Sequence, residues 1–114
     1  MIDAPALITL IESTDPNDSS ALDTLDLHVS YFLGHSLPMR YTRSRDVLKG
    51  IRPEGFLVKI ENWPTHTSVL GCFVHETGQV TTFESGSGPT EELSELHVII
   101  QAIAHLRSQP MADQ

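Results

Sequence analysis

A stripe of apolar residues at helical spacing, Leu22, Leu25, Val29, Phe32 and Leu33, is interleaved with Asp23, Asp26 and Ser30. Recurrence at three and four residues gathers the apolar side chains on one face and turns the polar ones outward. This predicts a helix over about 20–33, with Ser20 as N-cap and Gly34 where the helix stops. Downstream the period changes to two. Phe56, Val58 and Ile60 alternate with Leu57, Lys59 and Glu61, the pattern of a strand over about 56–63 with one face more buried than the other. "SVLGCFVH" is apolar on both faces, so a central strand over about 68–75, covered on both sides, is expected. "ETGQ" reads as a hairpin turn into an edge-like strand over about 79–84.

After the loop "GSGP", Thr90 as N-cap and Glu91 and Glu92 in the first turn open a last helix over about 90–108, before Pro110. Leu93, Leu96, Ile100 and Ile103 form one face, and Val98, Ile99, Ala102 and Leu106 widen it. Ser94, His97, Gln101, His105 and Ser108 leave only a narrow polar stripe. Such a helix is either packed deeply on the sheet or shared with a second copy. In the second case a homodimer through the final helix is expected.

The remaining elements are short. "PALITLIES" reads equally as a helix with Pro5 in its first turn or as a strand, and "TDPNDSS" is a turn-rich loop. A short helix over about 43–50 starts from Thr42 or Ser44 and closes at Gly50; Pro53 and Gly55 then frame a type I turn. The order predicts one α+β domain over residues 1–114. Its expected architecture is a three-layer α/β/α sandwich, a three-stranded antiparallel meander with helices on both faces.

Charge changes this picture. The chain of 114 residues carries a formal net charge of −8, yet six of its seven basic residues lie between Arg40 and Lys59: Arg40, Arg43, Arg45, Lys49, Arg52 and Lys59. That segment holds only two carboxylates, Asp46 and Glu54, against thirteen elsewhere. A net acidic chain argues against direct nucleic-acid binding, which needs cations facing the phosphates. A segregated basic island suggests either an anion-binding patch or a surface that meets an acidic one, and a merely solvated segment is the bland alternative.

The single cysteine, Cys72, allows no intrachain disulfide, and the amino-terminal apolar run carries Asp3 and ends at Glu12 rather than following basic residues. Both fit a cytoplasmic protein without a secretory signal. No run approaches the ~20 apolar residues of a membrane span, so no membrane partner is expected.

His97 and His105 are eight residues apart, about 12 Å along one helix axis, and cannot share an ion, so no metal and no cofactor is expected. His66 and His75 are the histidines expected nearest a cleft. Cys72 within "LGCFV" reads as a small core residue rather than a nucleophile. "ESGSGPTEE" places glycines before a helix, but Glu91 and Glu92 would repel a phosphate there. The better anion host is the island, with Arg40, Tyr41, Arg43, Ser44, Arg45, Lys49 and Arg52 as ligand- or partner-binding residues. Guanidinium forks offer bidentate bonds, and the short helix's first turn offers further donors.

"PMRYTRSRDVLKGIRPEGF" also resembles the signature of a family of small phage and prophage proteins described as the phage ABA-sandwich domain. The matching positions are Pro38, Tyr41, Thr42, Ser44, Asp46, Pro53, Glu54, Gly55 and Phe56. "LDTLDLHVSYFLG" and "LHVIIQAIAHLRS" are similar to that family's acidic and final helices. Phe56 stands where the family tends to have Trp, and Arg45 where an apolar residue is common. The resemblance implies a layered fold and a phage or prophage origin, and supplies no catalytic residues.

The functional expectation is a non-enzymatic binding protein. It would sequester an anionic nucleotide of host defence or bind a host protein, in the second case by imitating nucleic acid with its acidic exterior. The alternatives are a small hydrolase or nucleotide-modifying enzyme using histidine and carboxylates, and a structural or assembly module without a ligand.

Overall fold

The computed structural model describes residues 3–62, 64, 67–74, 77–88 and 90–108. Four helices and three strands follow in the order α1 (Ala4–Ser13), α2 (Ser19–Leu33), α3 (Arg45–Ile51), β1 (Phe56–Asn62), β2 (Thr67–Val74), β3 (Val80–Gly88) and α4 (Glu91–Ser108). The ambiguous first segment is a helix. Asp3 caps it by accepting from the Ala6 amide, Pro5 sits in its first turn, and Leu7 and Ile11 bury one side. Asp18, two residues before the expected Ser20, caps α2 by accepting from the Ala21 amide. Ser44 caps α3 and Thr90 caps α4, each accepting an amide three residues on.

The strands form an antiparallel meander in the order β1-β2-β3. Between α3 and β1 the Phe56 amide donates to the Pro53 carbonyl, and Gly55 has φ of 78°. A positive φ at the third position makes this a type II turn rather than the expected type I, and explains why glycine stands there. β3 continues past the expected end, pairing Ser87 with Ser68 and Gly88 with Thr67 beyond an irregularity opposite Ser68 and Leu70. Most of "GSGP" therefore belongs to the strand, because the ladder supplies backbone partners that the glycine content hides; Pro89 lies outside the described residues.

One sheet face carries Phe56, Val58, Ile60, Val69, Gly71, Phe73 and Phe83, buried or partly buried. The Phe56 ring lies directly over Gly71, where a Cβ would fall 2.1 Å from the ring's Cζ. Only glycine permits that approach. Phe56, Phe73 and Phe83 then cluster at centroid separations of 5.0 to 6.2 Å.

Helix α4 packs on this face against all three strands, and α1 and α3 pack against α4 in turn. Its middle position explains its composition. Every residue from Leu93 to Ile100 is buried within the single chain, so the apolar girth of that stretch is deep packing, the first of the two readings. On the opposite sheet face Leu57, Val74 and Val80 are exposed, and helices on both faces are not seen among the described residues. A two-sided apolar strand signals that its second face avoids water; it does not specify a helix as the cover. Cys72 lies on that open face, half-buried, not in the core where its apolar neighbours suggested.

Candidate functional site

Segment 35–52 leaves the end of α2 and runs back along it. The Ser30 hydroxyl donates to the His35 carbonyl, Tyr41 is fully buried with its hydroxyl 2.6 Å from His35 Nδ1, and the Thr42 amide donates to Asp26 Oδ1 at 2.9 Å. The α2 face read as solvent-facing is therefore covered. Asp26 is 4 % exposed and Ser30 2 %, because residues 41–43 lie over them. Removing the Tyr41 phenol from water disfavours the phenolate and raises its pKa above the ordinary 10.0; the Ser30 hydrogen bond opposes this and Asp26 adds to it.

The arginines that follow are each matched to carboxylates of this chain. Arg43 Nη2 donates to Asp23 and, at 2.7 Å, to Asp26 Oδ2. Those two hydrogen bonds hold its proton still more tightly than an arginine ordinarily does. Arg52 donates through Nε and Nη2 to Glu95 Oε2 at 2.9 and 2.7 Å. Arg45 reaches Glu91 at 3.1 Å and lies 3.8 Å from Glu95 Oε1. Glu95 is wholly buried on α4, between the two guanidinium groups.

Three of the predicted site residues are thus counter-ions to acidic helices. Arg43 fastens the segment to α2, and Arg45 and Arg52 fasten α3 to α4. Among the described residues Lys59 meets only Glu61, on its own strand, at 3.6 Å, with both ends exposed. Arg40 and Lys49 are exposed and have no ion pair among the described residues. Ser44 spends its hydroxyl on capping α3 and Tyr41 spends its own on His35. The island is not one patch. It divides into a clasp, residues 41–45 with Arg52, and the outlying cations Arg40, Lys49 and Lys59.

This arrangement changes what an anion would meet. The cleft beside Arg40 and Arg43 is also lined by Asp23 and Asp26. Its ≈ 210 Å³ falls below the about 300–1,000 Å³ of ordinary small-molecule sites. A phosphate there would have to displace carboxylates already bonded to Arg43. Asp26 and Glu95 are the two residues sequence reasoning passed over. The available signal was a lone acid, Glu95, inside the apolar run "LSELHVII", since a carboxylate on a buried stretch of helix requires a cation.

A second polar cluster joins α1 to α4. His97 Nε2 lies 3.2 Å from Glu12 and its Nδ1 2.6 Å from Gln101 Nε2. Both ring nitrogens are engaged, so this histidine has no free nitrogen to take a proton from a substrate. Among the described residues no group of three histidine, cysteine or acidic side chains could hold a metal ion, and no helix is long and apolar enough to cross a membrane. His66 and His75 lie outside the described residues.

The exposed apolar side chains tell a different story from the arginines. Leu37 and Met39 are 74 and 50 % exposed in the loop that precedes the clasp, and Tyr31 is exposed near the end of α2. Residues 35–39 line a shallow groove that shares Pro38 and Met39 with the cleft at Arg40. No protein-family model, curated protein or solved structure matches this chain.

Proposed function

We propose that the protein is a non-enzymatic binding protein whose recognition surface is the loop 37–40 with the neighbouring part of α2, and that its partner is another protein rather than a free nucleotide. The observation that supports this reading is the contrast within the basic segment. Arg43, Arg45 and Arg52 are occupied by carboxylates of the same chain, while Arg40, without such a partner among the described residues, stands beside the exposed Leu37, Pro38 and Met39. Arginine and methionine are among the residues enriched at protein interfaces, and arginine among those that carry the binding energy. A host protein as partner, and a phage or prophage origin, follow from the resemblance of the "RYTRSRDVLKGIRPEG" segment and belong to the same proposal. The acidic remainder of the surface would steer the protein toward a basic partner.

The test uses affinity capture from a bacterial lysate with the wild-type protein and with the double variant L37D/R40E, followed by titration of any purified protein that distinguishes them. We expect a protein retained by wild type whose affinity falls at least about tenfold in the double variant, as for loss of a hot-spot pair. Equal recovery of every protein by both forms overturns the assignment of this surface. A thermal shift of wild type with a nucleotide or cyclic dinucleotide, abolished by Arg40→Ala, would return the function to a small anion.

A further inference from the structure

The open face of the sheet has a charge pattern that selects its own partner. Strand register sets four rows of outward side chains across it: Val74 beside Val80; Leu57, Cys72 and Thr82; Lys59, Leu70 and Glu84; and Glu61 beside Ser68. Leu57, Val74 and Val80 are 60, 56 and 54 % exposed, and Leu70 and Cys72 are half-buried. An antiparallel sheet with one wet face ordinarily makes that face polar. Here it is apolar along its centre, with Lys59 and Glu61 side by side at the β1 edge and Glu84 at the β3 edge.

We propose that this face is an interface with a second copy of the chain, related by a twofold axis that runs along β2. Rotation about such an axis keeps each row at its own height and exchanges β1 with β3. Lys59 then faces the partner's Glu84, Glu84 faces the partner's Lys59, and Leu70, Cys72 and Val74 meet their own copies on the axis. The contact is isologous, as a closed dimer requires. An axis across the strands fails. Centred on the Cys72 row it sets Glu84 over the partner's Val80; centred on the Leu70 row it sets Lys59 on Lys59 and Glu84 on Glu84. Centred between the Leu70 and Ser68 rows it pairs Lys59 with the partner's Glu61 but sets Leu70 on Ser68 and carries Cys72 and Val74 past that row. Only the lengthwise axis pairs Lys59 with Glu84 and keeps the apolar column together. Sheets packed face to face turn by about 30°, which leaves Cys72, between Leu70 and Val74, near the crossing point. The Lys59–Glu61 pair does not oppose this, since an exposed ion pair contributes little and exchanges readily. This surface is separate from the loop 37–40, and the two proposals fail independently.

Sedimentation of the full chain over a concentration series tests the inference. Wild type is expected to dimerise, with the dissociation constant raised about a hundredfold or more by Val74→Lys, which places two like charges at the axis. Lys59→Glu and Glu84→Lys are each expected to weaken the dimer about tenfold, and the double variant K59E/E84K to return to within about threefold of wild type, because the swapped row is complementary to itself. A short bis-maleimide is expected to join two chains through Cys72. Wild type monomeric up to about 0.5 mM, a range in which even weak association registers, overturns the proposal. So does a dimer indifferent to Val74→Lys, or failure of the double swap to restore what either single change removed.

Discussion

Two buried carboxylates hold the clasp, and they are held differently. Glu95 on α4 has no exposure; its Oε2 accepts two hydrogen bonds from Arg52, and its Oε1 has no hydrogen-bond partner among the described residues, with Arg45 Nε 3.8 Å away. Asp26 on α2 is 4 % exposed, receives a backbone amide from Thr42 as well as Arg43, and borders an open cleft that Arg40 also lines. A backbone donor cannot be removed by truncating a side chain, and a cleft admits water when a side chain leaves. The α4 anchor therefore depends on its arginine, whereas the α2 anchor depends on its carboxylate.

The sharpest way to break this comparison is Arg52→Ala. It leaves the buried Glu95 carboxyl facing, among the described residues, only Arg45 at 3.8 Å. Removing one partner of a buried pair costs about 3–5 kcal/mol; with Arg52 itself 23 % exposed, the lower end is expected. In a domain of this size that lowers the melting temperature by roughly 10 °C. Glu95→Gln should cost clearly less, because the amide oxygen still accepts from Arg52 and no buried charge is stranded. Thermal unfolding of both variants checks the order, and a milder Arg52→Ala than Glu95→Gln would refute it.

At the α2 anchor the order reverses. Arg43→Ala leaves Asp26 with the Thr42 amide, with water in the opened cleft and with Arg40 nearby, so a cost of about 1 kcal/mol is expected. Asp26→Ala removes the acceptor of a buried backbone amide and strands Arg43 beside Asp23 alone, and should cost about 2–3 kcal/mol. Urea unfolding of the two variants measures the difference directly. Equal costs would mean that the Thr42 amide contributes nothing.

The same contrast explains how much could be read without the fold. Periodicity located α2, the three strands and α4 within a few residues, and capping chemistry located Thr90 and narrowed the α3 cap to Thr42 or Ser44, because those signals act over one turn or one strand. Asp26 and Ser30 were legible as polar but not as buried, since what covers them, Tyr41 to Arg43, lies outside their helix and reaches them only after Gly34 turns the chain. Glu95 was legible as an acid in an apolar run, but its partners are more than forty residues away. The excess of cations in residues 40–59 was visible, and its use was not. Composition records that Arg43, Arg45 and Arg52 have the opposite sign to α2 and α4; only the path of the segment shows that they meet. The open sheet face was hidden for the converse reason, as an apolar β2 looks the same whether a helix, a second chain or nothing lies over it.

Tyr41, the residue that lays the segment on α2, gives the smallest effect and the one that separates burial from charge. Burial raises its pKa above 10.0, so the folded state holds the phenolic proton more tightly than the unfolded chain does. Above pH 10 the unfolded chain releases that proton first, and folding stability falls as pH rises through the interval between the two values. Tyr41→Phe keeps the ring and removes both the ionisation and the bond to His35. At pH 7 the variant should lose about 1 kcal/mol, the worth of one hydrogen bond. Near pH 11 the gap to wild type should narrow, because only wild type carries the linked loss. Arg43→Ala, by contrast, removes a group that stays charged throughout this range, so its own linkage adds no such narrowing. Denaturant unfolding of wild type and Tyr41→Phe at several pH values between 7 and 11 measures this difference, and a constant gap would show that the proton of Tyr41 is no better held in the folded chain than in the unfolded one.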